Sequence, residues 1–156
     1  MTALRNDGER FARRVFGLSG VYGLVVLLPQ FFFEEILNRR NPPPITHPEY
    51  FYGFLGVAVA WQVAFLLIAR DPVRLRPVIL AGALEKFSFG LAAATLYGLG
   101  RINAPTLGFA AIDAMLGVLF IISYLRTSAP RQVESEAPGE SASEARAGRT
   151  ARASRT

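Results

Sequence analysis

The chain contains no cysteine, which excludes disulfides, thiolate metal sites and cysteine nucleophiles. Histidine is nearly as scarce, with one residue, His47. A haem held between two histidines is therefore ruled out, and a protein-only metal site has too few strong ligands. No glycine-rich phosphate loop follows an apolar strand, and no internal repeat is visible. Ser19, Ser88 and Ser123 have no neighbouring base in sequence, so nucleophilic serine chemistry has no support. These absences predict no catalytic residue, no metal and no cofactor.

Apolar residues are abundant. They make up 51% of 156 residues and come in long blocks, unlike the distribution in a soluble domain. The net charge of +5 would fit a nucleic-acid binder, but the arginines stand beside the apolar blocks and in the tail, so nucleic acid is not an expected partner. Crossing a hydrocarbon core of about 30 Å takes roughly 20 apolar residues in a helix. Four stretches reach that length, at about 15–33, 51–69, 78–100 and 106–125. Arg10, Arg13 and Arg14 precede the first stretch as in a signal peptide, but no small-x-small cleavage pattern follows, and a retained helix is expected.

Boundary chemistry agrees with hydropathy. Thr46 and Glu49 have the spacing of a capping box for the second helix, with Pro48 in its first turn. Asp71 and Pro72 end that helix, and Asn103 caps the fourth with Pro105 just inside. Residues 41–44 form a stiff connector. After residue 127 no large apolar residue remains to anchor a core, and the segment 128–156 reads as disordered, acidic from Glu134 to Glu144 and basic at its end. The expected architecture is all-α: a four-helix transmembrane bundle over 1–127 followed by a disordered cytoplasmic tail.

Arginine asymmetry sets the expected orientation. One side carries Arg5, Arg10, Arg13, Arg14, Arg70, Arg74, Arg76, Arg126 and Arg131; the other carries Arg39, Arg40 and Arg101. Positive loops stay in the cytoplasm, so both termini are expected on the cytoplasmic side of a bacterial inner membrane.

Ionisable residues within a membrane helix cost roughly 3 kcal/mol each at its centre, so they mark the first candidates for function. Glu85 and Lys86 lie about 12 Å into the third helix, and Asp113 lies about 19 Å from the same face on the antiparallel fourth. A lysine arm spans that offset, so Lys86 and Asp113 are expected to pair. Adjacent helix positions diverge by about 100°, so Glu85 is expected to find another partner. Tyr22 and Gln62 fall at its depth, and Glu85, Lys86, Asp113, Gln62 and Tyr22 together form a candidate intramembrane polar layer. Interhelical glue, a ligand or ion site, and proton transfer are all compatible with it.

The run HPEYFYGFLGVAVAWQVAFLLIARDPVRLR at His47 to Arg76, with LEKF at Leu84 to Phe87 and IDAMLGVLF at Ile112 to Phe120, resembles small bacterial four-helix integral membrane proteins, and the general build is similar to the DoxX-like group. The resemblance spans about residues 11–127 and implies the four-helix architecture. It carries over no site residue. The functional expectation is a non-enzymatic accessory subunit or a binder of lipid or another apolar ligand. Membrane lipids, and either another membrane protein or further copies of the chain, are the expected partners. The alternative is a proton-linked carrier or small membrane enzyme using buried Glu85, Lys86 and Asp113.

Overall fold

The structure is a computed structural model and describes residues 2–40 and 43–127; the expected disordered tail lies outside them. Five α-helices are present among the described residues: α1 (Thr2–Leu27), α2 (Glu34–Arg40), α3 (Pro48–Arg70), α4 (Arg76–Gly98) and α5 (Ala104–Arg126), with a 3-10 turn at Leu28–Phe32. No strand occurs among the described residues. Four helical segments, Asp7–Phe32 and the whole of α3, α4 and α5, are long and apolar enough to cross a membrane. At 1.5 Å per residue each 23-residue helix spans about 35 Å, more than the hydrocarbon thickness.

Local chemistry explains the ends. Pro29 lacks an amide hydrogen and its ring crowds the preceding turn, so α1 gives way at Leu28 to the 3-10 turn. The α1 helix also starts well before residue 15, because the polar residues ahead of the apolar block continue the helix outside the apolar span. A seven-residue helix, α2, follows where only a loop was expected. Its acidic first turn and basic last turn both favour its dipole, and Arg39 pairs with Glu35 one turn back.

The expected capping box on α3 does not form. With Pro48 as the first helical residue, His47 is the cap, and Thr46 lies one position too far upstream to reach the amides. The Thr46 hydroxyl instead contacts His47 Nδ1 at 2.9 Å. At the other end Asp71 closes α3, its carboxylate accepting the Arg74 backbone N–H at 3.1 Å. Helix α4 ends at Gly98 with Gly100 at φ 68°, a left-handed position that glycine adopts freely, and Arg101 N–H reaches back to Leu96 O at 2.9 Å. Asn103 caps α5 as expected, accepting from Thr106 N at 3.0 Å.

Helix α1 packs against α3 and α5, and α4 packs against α5, whereas the sequence neighbours α3 and α4 meet only lightly. Three aromatic rings lock the centre. Phe16 of α1 stacks on Phe120 of α5 at 4.1 Å between centroids, and Phe65 of α3 meets Phe120 edge-on at 4.9 Å. Ala12, Ile68, Ile79 and Ala83 complete this core. Gly82 lets α4 approach closely, since a Cβ there would lie 2.9 Å from the Phe65 ring.

Outward faces are equally apolar. Leu18 of α1, Leu84 and Leu91 of α4 and Leu125 of α5 are 70–74% exposed. An exposed apolar surface of this extent is unfavourable in water and natural in hydrocarbon. The chain has the build of a multi-pass membrane protein.

Candidate functional site: an intramembrane charge cluster

Helix α4 supplies Lys86, the only lysine in the chain. Its side chain is 6% exposed, so the ammonium stays in the bundle instead of running to the surface. Lys86 Nζ donates to both carboxylate oxygens of Asp113 on α5, at 3.1 and 3.2 Å. The pairing inferred from depth is thus present as a two-oxygen contact across the α4 and α5 interface. The same ammonium stands 5.4 Å from the centroid of Phe65, which links the ion pair to the aromatic core by a cation–π contact.

Glu85 departs from expectation. Its Oε2 lies 3.4 Å from Lys86 Nζ, so the lysine stands between two carboxyl groups instead of serving Asp113 alone. The 100° divergence of adjacent positions describes the Cα–Cβ directions; a four-carbon arm and a two-carbon arm can close it. The contact lacks hydrogen-bond geometry, and Oε2 is buried without a hydrogen-bond partner among the described residues. With both carboxyls ionised the cluster holds one more negative charge than positive.

The other two residues of the expected layer stand apart. Gln62 is 1% exposed on α3, but its Nε2 donates to Ala58 O of its own helix at 3.0 Å and its Oε1 has no partner among the described residues. Its side chain lies over Gly23 of α1, where any Cβ would collide with it. Tyr22 is 37% exposed and makes no hydrogen bond to the cluster, although Asp113 is within its electrostatic range. The polar layer therefore divides into an ion cluster between α4 and α5 and a separate amide between α1 and α3.

At the far end of the bundle, Glu34 and Glu35 are engaged locally. Tyr52 donates to Glu34 at 2.7 Å, Glu35 pairs with Arg39, and His47 stacks on Tyr50. Among the described residues no group of three or more His, Cys, Asp or Glu side chains is placed to hold a metal ion.

Three features escaped sequence reasoning. Arg13 of α1 donates to Arg70 O and, at 3.4 Å, to Ala69 O, covering carbonyls at the C-terminus of α3. Arg76 does the same for α5, donating to Thr127 O at 2.7 Å and Tyr124 O at 3.3 Å while stacking on the Tyr124 ring. These arginines read as orientation signals, yet they also satisfy orphan helix-end carbonyls. The third feature is an open groove of about 300 Å³ where α3 and α4 separate, lined by Val57, Ala60, Trp61, Ala64 and Val78. Its lining is apolar, and no pattern along one helix announces a space between two.

No protein family, curated protein or solved structure matches this chain.

Proposed function

We propose that this chain is a non-enzymatic component of a bacterial inner membrane, with both termini in the cytoplasm, and that it binds a lipid or similar apolar molecule in the groove between α3 and α4. The observation that carries this reading is the engagement of the buried ammonium: Lys86 stands between Asp113 of α5 and Glu85 of its own helix inside the bundle, which fits interhelical adhesion. The apolar groove, by contrast, is open at the surface between α3 and α4. Orientation rests on the basic end formed by Arg10, Arg13, Arg14, Arg70, Arg74, Arg76 and Arg126, against Arg39, Arg40 and Arg101 at the opposite end. Native mass spectrometry of protein extracted in mild detergent tests the binding. Retained lipid that Ala60→Phe displaces without unfolding the protein is the expected result; lipid retention indifferent to that change would overturn it.

One observation favours a second reading. Glu85 Oε2 is buried, lacks a hydrogen bond and shares its cation with Asp113, as a residue exchanging protons during transport would. Uptake driven by a pH gradient in liposomes, lost in a folded Glu85→Gln variant, would support that carrier. Absence of such uptake leaves the groove as the working feature.

A further inference from the structure

We infer that the molecule held between α3 and α4 is a lipophilic cation, its apolar body in the groove and its positive charge against the Glu85 carboxylate and the Trp61 ring. The inference rests on the groove-binding reading above and adds the charge class of the ligand. The line of α4 on which Glu85 stands places it beside the groove. Val78 is the α4 residue of the groove wall, and Glu85 follows it by seven residues, about 20° short of two full turns. Contacts to α3 bracket the same line. A Cβ at Gly82 would lie 2.9 Å from the Phe65 ring, and the Phe89 ring stands 6.4 Å from that of Phe54 between centroids. Three residues beyond Gly82 and four short of Phe89, Glu85 is level with the stretch from Ala58 to Gln62 on the antiparallel α3. Ala60 and Trp61 of the groove wall belong to that stretch.

The charge count asks for a cation there. Lys86 donates its hydrogen bonds to Asp113 and approaches Glu85 only at Oε2, at 3.4 Å. The Glu85 side chain is 20% exposed although Oε2 is buried, so its accessible surface belongs to the remaining atoms. Its Oε1 forms no hydrogen bond or ion pair among the described residues. Two ionised carboxyls against one ammonium leave an excess negative charge in apolar surroundings, which a neutral or anionic molecule would not offset and a cation would. No arginine is placed to supply it: Arg76, the only one on α4, lies nine residues away, about 14 Å along the helix, and is committed to the α5 carbonyls and the Tyr124 ring. The Trp61 indole adds an aromatic face, which attracts positive charge most strongly where water is excluded. A carboxylate, an indole and an apolar wall at one level together match an apolar body carrying a positive charge.

Trp61 is the only tryptophan in the chain, so its fluorescence reports on the groove directly. The test titrates tetraphenylphosphonium, and separately the size-matched anion tetraphenylborate, into full-length protein in a neutral detergent. Tetraphenylphosphonium is expected to change the Trp61 emission to saturation. Glu85→Gln, checked for an intact unfolding transition, should weaken its binding on the order of tenfold and should not weaken that of tetraphenylborate. Glu85→Asp, which keeps the charge, should retain part of the cation binding, and Glu35→Gln at the opposite end of the bundle should leave both titrations unchanged. Cation binding that Glu85→Gln leaves unaltered, or that falls only in step with the anion, would overturn the charge assignment while leaving groove binding in place. No saturable change with either ion, or binding indifferent to Ala60→Phe, would overturn the groove itself.

Discussion

Lys86 is one cation serving two carboxyl groups, and removing each member of the cluster should have a different consequence. Lys86→Met strands both Glu85 and Asp113 in apolar surroundings and should cost the most, about 3–5 kcal/mol. Asp113→Leu is milder, because the ammonium 3.4 Å from Glu85 retains a partner. Glu85→Gln leaves both Asp113 contacts in place and should cost least. Combining Lys86→Met with Asp113→Leu should recover stability relative to Lys86→Met alone. Thermal unfolding in detergent gives this order and the coupling energy; strictly additive losses would mean that the two residues do not interact. The depths of Lys86 and Asp113 were legible because rise per residue fixes them. Sharing with Glu85 was not legible, because it depends on how far flexible arms bend.

Helix ends and helix contacts make their own predictions. Arg76→Gln should destabilise the bundle by about 1 kcal/mol, since it removes charge-assisted bonds to two partly buried carbonyls of α5. Arg13→Gln should cost less because its guanidinium is more exposed, while Arg14→Gln, with no such contact, serves as the reference. Glycines separate in the same way. A Cβ at Gly20 would lie 2.9 Å from Gln62 O, a backbone atom, whereas one at Gly56 meets nothing within 4 Å. Gly20→Leu should therefore disrupt packing of α1 on α3, and Gly56→Leu should leave the unfolding temperature unchanged. Gly17, Gly20 and Gly23 face α3, while Gly56 of α3 and Gly98 of α4 lie open, a difference the sequence does not announce. The bounds of α3, α4 and α5 came within a few residues of their observed positions, because Asp71, Pro72 and Asn103 punctuate the chain there. Helix α1 proved longer at its start and broken at Pro29, and α2 was missed. Hydropathy reports the part of a helix that suits hydrocarbon, and says nothing of its polar extension or of a short helix outside.

At the scale of the molecule, the order of packing, α3 against α1, α1 against α5 and α5 against α4, leaves α3 and α4 apart although they are joined by a short turn. The open side of the bundle and its apolar groove are one consequence of this order, and pairwise packing cannot be read from four helices of similar hydropathy. Their number and length could be read, as could the arginine asymmetry. Because α1 starts and α5 finishes at the same end, the whole account depends on four crossings with that basic end in the cytoplasm. The absence of native cysteine permits a direct test with a single cysteine placed at Arg40, Arg74 or Arg101 and a membrane-impermeant thiol reagent applied to intact cells. Positions 40 and 101 should react from outside and position 74 only after the membrane is opened. Labelling at 74 in intact cells, with 40 and 101 protected, would contradict the orientation; labelling of all three on one side would contradict the four crossings.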